Sequence, residues 1–422
     1  MPSNVIESDI DSESRPRDPR ETLEVRITRT GNQLLSSLAR VLSHVPGSEA
    51  GPLRLAASLG VDKVLASRLL KAVRSPDAVT IMHRAPGPEP LRRVLRASER
   101  HGVPADEMQA ACAAVDAFED LIRTGTGDRS GLEAVLSAWA PDARRDFELR
   151  RKQAAFRAVS QLKGMQTDVF AEAAIFWPSP DGKNIDVVWL KSVTGLTALR
   201  PGVTIKFTSK RGIEAPTGRD QMTRHPMTLS GEPVESVKNT VIPQFCSEPT
   251  PELIARVVGE STHYLLERAR LGEPMELLLC EVNRAEIPRY VPLKLARRAW
   301  ASSDISLPAQ RCQFDLLIHP ELFPGEQPDL RVYDTAILGL ADRNDSARDI
   351  DQFDLLETVD NLGVGVTRFG SSDVPRYREV LEHICQQLNY DGSILRGYRV
   401  TSSYPIYGSQ YAMSLRTTEP PG

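Results

Sequence analysis

The stretch from Leu55 to Lys71, LAASLGVDKVLASRLLK, constrains the fold more than any other part of this chain. Ala56 and Gly60 stand four apart, and Val61, Ala66 and Leu69 recur where a second helix would face the first. A small residue lets two helices cross closely, and a glycine takes the strained backbone of a tight turn without steric cost. Asp62 stands where its carboxylate can accept the free amides that open a helix, and Pro76 follows that helix's natural end at Arg74 or Ser75. The spacing predicts two short helices hinged at Gly60.

The run VDKVLASRLLKAV, with Ser67, Arg68, Leu69 and Leu70 at its centre, resembles the recognition-helix portion of bacterial helix-turn-helix regulators of the lactose-repressor type. The likeness covers about twenty residues of the 422, and Leu65 replaces the polar residue usual at its place. The resemblance implies that Val61, Ala66 and Leu69 are buried. It also implies that Asp62, Lys63, Val64, Ser67, Arg68 and Lys71 line an exposed face that enters a major groove. Lys63 and Arg68 would then donate to guanine edges, Ser67 would serve a base or a phosphate, and Arg54, Lys71 and Arg74 would neutralise backbone phosphates. From Arg54 to Arg74 there are five basic residues against one acid, Asp62, so the local sign is positive although the whole chain carries a formal charge of -4. The implied partner is double-stranded DNA, taken by a homodimer because one such motif makes few base contacts. That family continues into a sugar-binding domain of parallel βαβ units, which the rest of this chain does not resemble, so no effector class is implied. The competing reading of the same residues is an ordinary helical hairpin with solvated charges.

At 422 residues the chain is long for a single core, and two domains are expected. No run approaches the roughly eighteen apolar residues that a membrane helix requires. The first residues, MPSNVIESDIDSESRPRDPRE, lack the basic-then-apolar pattern of a secretory signal, so a cytoplasmic protein is expected. Five cysteines, Cys112, Cys246, Cys280, Cys312 and Cys385, are scattered without a CxxC pair, which points to reduced buried thiols and to no disulfide framework or zinc ribbon.

Residues 1–24 carry seven acids and almost no apolar side chain, and so are expected to form a disordered acidic tail. Residues 25–163 read as helices: 32–45, the two-helix unit at about 53–74, a short helix from Ser75-Pro76 to Met82, one stopping near Gly102, and one opened by Pro104 with Met108, Ala111, Cys112, Val115, Phe118 and Ile122 inward. A helix with Leu132, Val135, Leu136 and Trp139 follows, and Pro141 opens the longest, to Lys163, with Phe147, Ala154, Ala158 and Leu162 inward. Near Gly164 the pattern turns to strands: 168–177, 184–193, 203–210, then MELLLCEV, CQFDLLIH, DLRVYDTAIL, FDLLETVDNLGVGV, LRGYRVTSSY and SQYAMSLRT. Helices are read at 251–270 and in VPRYREVLEHICQQL, and residues 211–248 read as loop. The fold class expected is therefore multidomain, an all-α region followed by an α+β domain at 165–422 with a mixed or antiparallel sheet.

Little in this second half reads as chemistry. Asp342, Asn344 and Ser346 alternate like the first ligands of a calcium loop, but Ala347 stands where the turn demands glycine and Phe353 where a bidentate glutamate belongs. In NLGVGVTRFG the third glycine, Gly370, comes two places late for a dinucleotide fingerprint, which leaves a bend or bulge in a sheet. No nucleophile elbow or phosphate loop is present. The sequence thus names no catalytic residue, metal or cofactor. Its leading expectation is a sequence-specific DNA-binding transcriptional regulator, with a C-terminal domain that senses a small-molecule effector or assembles the oligomer. The alternatives are an interaction or assembly protein with a helical packing module, and an enzyme of unrecognised family in the C-terminal half.

Overall fold

The structure, a computed structural model, describes residues 22–211, 226–259, 261–267, 269–417 and 419. The acidic segment read as a tail lies outside these residues except for its last three, which open the first helix. The chain forms two compact units, Met1–Phe147 and Glu148–Gly422, and the division falls inside the long helix.

The first unit is helical: α1 (Leu23–Ser43), α2 (Pro52–Leu59), α3 (Lys63–Val73), α4 (Ala78–Arg84), α5 (Pro88–Ser98), α6 (Ala105–Asp120), α7 (Arg129–Ser137) and the start of α8 (Pro141–Lys163). Helix α1 begins well before Asn32, because Thr22 caps it and Ile27, Thr30 and Gly31 extend the buried stripe of Leu34, Leu38, Val41 and Leu42. Gly31 is there for close approach: a Cβ on it would stand 2.4 Å from the Ala78 carbonyl oxygen of α4. The short helix expected to open at Ser75-Pro76 starts instead at Ala78, capped by Asp77. On α6 the inward stripe is Ala111, Ala114, Val115 and Phe118, and Cys112, expected inside, is exposed. Trp139 likewise lies past the end of α7 and is 41% exposed.

The second unit is built on a seven-stranded mixed sheet in the order β11-β12-β9-β1-β2-β7-β4. Its strands are β1 (Met165–Pro178), β2 (Asn184–Ala198), β4 (Pro226–Met227), β7 (Met275–Pro288), β9 (Ala309–Ile318), β11 (Asp360–Val364) and β12 (Arg396–Ser403), with only the β1–β9 pair parallel. The strand period of two sorts β1 cleanly. Phe170, Ala174 and Phe176 face one core, while Val169, Ala171, Ala173 and Ile175 face another. The second of these cores is closed by α9 (Tyr377–Leu388), whose Tyr377, Val380, Leu381 and Ile384 point inward. The first is closed by a three-stranded sheet, β10-β13-β8, made of β10 (Asp329–Asp334), β13 (Ser409–Arg416) and β8 (Arg298–Asp304). A further sheet, β3-β6-β5, comprises β3 (Ile205–Arg211), β6 (Ser261–Leu266) and β5 (Ile254–Val258).

The helix expected at 251–270 is therefore a β-hairpin. Val258 pairs with Ser261 across Gly259, which sits at φ 58°, and the β-branched run IARVV suits a pleated edge better than a helix. Strand β8 escapes a hydrophobicity reading because its inward side chains, Ala299, Ala301 and Ser303, are small or polar. Within the described part of 226–248, β4 and two short 3₁₀ turns, Val237–Thr240 and Pro243–Phe245, interrupt the expected loop.

The second half of α8 is set in a phase different from the expected one. Ala154, Ala158 and Leu162 are exposed, Leu162 by 78%, while Lys152, Phe156 and Ser160 are buried. Lys152 goes inward because its ammonium meets Glu148 at 3.3 Å, Ser402 at 3.1 Å and the Glu357 carboxylate, which together replace its hydration. The Phe156 and Tyr404 rings lie 5.4 Å apart beside it.

Candidate functional site

Two places carry concentrated chemistry, one in each unit. In the first, Pro52 starts α2 and Gly60 ends it in the left-handed region at φ 67°, ψ 34°, its amide donating to the Ala56 carbonyl at 2.9 Å. The Ser58 carbonyl near the end of α2 accepts from the Arg100 guanidinium at 2.7 Å and lies 3.0 Å from His101 Nε2. Asp62 opens α3 by accepting the Leu65 amide at 2.8 Å. Leu55, Leu59, Ala66 and Leu69 are fully or nearly fully buried, so the two helices face one core. Leu65, at 8% exposure, also reaches that core, which accounts for an apolar side chain at its place. Val61, expected buried, is only half-buried at the turn.

The opposite face of α3 presents Lys63, Val64, Arg68 and Lys71 to solvent, with Ser67 half-buried between them. Val64 is 69% exposed, an apolar side chain among cations. Arg54 on α2 and Arg74, the C-cap of α3, are exposed at its borders. The eight residues singled out from the sequence are thus brought onto one helix pair. Two of them are already engaged: the Asp62 carboxylate in its cap, and Arg74 in a 3.4 Å contact to Ser48 O. Elsewhere in this unit Arg84, Arg92, Arg96 and Arg123 pair with carboxylates. Arg54, Lys63, Arg68 and Lys71 have no such partner among the described residues.

In the second unit a cavity of about 810 Å³ lies between the large sheet and β8. Its floor comes from strand register. Glu172 of β1 pairs with Lys191 of β2, and Trp189, two residues along the same face, pairs with Glu281 of β7. The Lys191 ammonium is 2.9 Å from Glu172 Oε1 and lies over the Phe170 ring at 4.8 Å, while Glu172 Oε2 accepts the Asp304 amide at 3.2 Å. The Trp189 indole donates to the buried Glu286 at 2.9 Å. Trp300, Tyr290 and Leu340 lie elsewhere along its lining. At its border the Ser209 hydroxyl is 2.8 Å from His263 Nδ1. A nucleophile and base need a third group to orient the base, and among the described residues no carboxylate pairs with His263.

None of these cavity residues is marked by a motif. The signal that exists is a charge placed inside each near-continuous apolar strand: Glu172 in FAEAAIFW, Lys191 in VVWLKSV and Glu281 in LLLCEV. Read at period two they fall on the face shared with Phe170, Val193 and Leu279.

No known family's profile matches this chain, and no curated protein matches it. A solved structure from Parabacteroides distasonis, provisionally described as a protease, is similar at 8% identity over 60% of this chain and 40% of that one, with a TM-score of 0.25. So slight a likeness says nothing of this chain's activity.

Proposed function

We propose that this protein is a sequence-specific DNA-binding regulator, in which α2 and α3 form a helix-turn-helix and the cavity of the second unit receives an effector. The observation that carries the reading is the α3 face. Three cations with no acidic partner among the described residues, and a protruding Val64, stand on the solvent side of a short helix whose other side is core. Its turn glycine and cap hold it at a fixed angle to α2. An ordinary packing hairpin would have no reason to keep those cations clear of acids while Arg84, Arg92 and Arg96 of the same unit are neutralised. The apolar Val64 suits a thymine methyl, and Arg68 suits a guanine edge. A homodimer presenting two copies of α3 to a two-fold site is the expected working form.

The test is selection of bound sequences from a randomised double-stranded DNA pool, followed by variants. Arg68→Ala should weaken the selected site by about 1–3 kcal/mol and relax preference at one base position, while Lys71→Ala should weaken all sequences alike. If the two variants act equally on every sequence, Arg68 is not a base reader. If the pool yields no enrichment, the helix pair is a packing device.

A further inference from the structure

We propose that the cavity of the second unit binds a short extended peptide with apolar side chains, which adds a strand to the open edge of β8. The inference rests on the reading above that this cavity receives an effector, and it names that effector's class. Hydrogen-bond direction comes first. Along a strand in an antiparallel pair, successive residues turn their backbone N–H and C=O groups to alternate edges. Ile305, just past β8, donates to the Ser409 carbonyl and accepts from the Gly408 amide, both at 2.9 Å, so the odd-numbered residues face β13. The register runs from Arg298 opposite Arg416 to Asp304 opposite Gln410 without a shift. The even-numbered residues therefore point the other way, and on that side β8 is the edge of its sheet.

Side chains fill the two ends of this edge. At one end the Asn344 carboxamide behaves as a neighbouring strand would: its Oδ1 accepts the Arg298 amide at 2.7 Å, and its Nδ2 donates to the Arg298 carbonyl at 3.1 Å. At the other end Glu172 Oε2 accepts the Asp304 amide at 3.2 Å. Between them the amides and carbonyls of Trp300 and Ser302 have no partner among the described residues, and both residues are half-buried on the cavity's lining. An unpaired edge is a template for another strand, and main-chain hydrogen bonds to it bind a peptide. The gap from Trp300 to Ser302 takes about three residues at roughly 3.4 Å each. A cavity of about 810 Å³ leaves room for their side chains. Charge adds no preference, because the charged side chains of the lining are already engaged. Lys191 meets Glu172, Glu286 accepts the Trp189 indole, Arg298 is drawn to Asp329, Asp342 accepts the Asn344 amide, and Glu281, Asp304 and Arg297 have partners too. Leu279, Ile287 and Val291 on the same lining suit an uncharged, apolar guest.

The experiment uses the full chain without DNA and a pool of acetylated tripeptide amides built from Ala, Val, Leu, Phe and Tyr. Affinity selection finds the tightest member. Calorimetry then compares it with two N-methylated versions, one methylated at the central residue and one at both flanking residues. A guest strand turns alternate amides to β8, so one version should lose about ten-fold or more and the other should stay within about two-fold of the parent. In NMR spectra of the complex the Trp300 and Ser302 amides should exchange with solvent about ten-fold more slowly than in the free chain, while Ala299 and Ala301, already in the ladder, should not change. Trp300→Pro removes one of the two edge donors, at a position where an edge strand tolerates proline, and should cost the parent peptide about ten-fold. If that variant does not fold, the methylated peptides on the unaltered chain carry the test. Equal binding of all three peptides, protection confined to other amides, or no member of the pool held by the folded chain would each overturn the proposal. Bound peptide that leaves affinity for the selected DNA unchanged would remove the effector role and keep the site. Failure of the DNA selection leaves all these measurements unaffected, since no DNA is present in them.

Discussion

At the scale of single residues, the five thiols show how position decides chemistry that composition leaves equal. Only a thiolate attacks a disulfide or maleimide, so reactivity follows exposure and the ease of losing the proton. Cys112 is exposed on α6, while Cys280 and Cys312 are buried in the second unit, where desolvation pushes their thiols far above the ordinary range. Burial lifts Cys385 to about 11. Labelling the native protein with a disulfide reagent near pH 8 should therefore titrate Cys112 first. Cys246 and Cys385 should follow slowly, and Cys280 and Cys312 only on unfolding. Raising the pH toward 11 should speed Cys385, because deprotonation there becomes appreciable. Rapid reaction at Cys280 or Cys312 in folded protein would contradict the burial. Scattered spacing is enough to read the absence of a disulfide framework from the sequence, but not which thiol faces water. Cys112 lies one position from the stripe of Ala111 and Val115, and on a helix one position is a hundred degrees.

At the scale of elements, α8 carries the sharpest lesson. Its length is plain from Pro141 and the unbroken run of helix formers, yet its buried face is not, because the side chain that decides the phase is Lys152. A buried lysine is costly unless paired, and its partner Glu357 is supplied from far along the chain, where no local pattern points to it. Lys152→Met should cost about 3–5 kcal/mol by leaving Glu357 buried without a counter-ion. Lys152→Met combined with Glu357→Leu should recover most of that in denaturant titrations. If the double variant is as unstable as the sum of the two single ones, the pair is not coupled. The α2–α3 pair is the opposite case. Its glycine, cap and stripe lie within twenty residues, so sequence spacing alone predicts it. The hairpin at 254–266 defeats the same reasoning, since Ile254, Val257, Tyr264 and Leu265 happen to imitate a helical stripe while Gly259 turns the chain back. The cavity is the least legible element of all. Most of its charges come from β1, β2, β7 and β8, and pairing between distant strands gathers them.

At the scale of the whole molecule, a chain of net charge -4 is repelled by nucleic acid except where its charge is locally reversed. On the proposed reading Arg54, Lys71 and Arg74 are the phosphate contacts, and two copies bring about six of them to one site, which gives a salt slope near -5 on logarithmic axes. Affinity should then fall by about a thousand-fold between 50 and 200 mM salt, whereas one copy alone should lose only about forty-fold. Lys71→Ala should flatten the dimer's slope by about 2, since it removes two contacts. Binding measured by fluorescence anisotropy on the selected site at four salt concentrations checks both numbers. A slope shallower than about -2 that Lys71→Ala leaves unchanged would mean that the α3 face does not meet the phosphate backbone. A slope near -3 with an unpaired half-site enriched from the pool would instead keep the face and remove the dimer, because the cations would then be counted once.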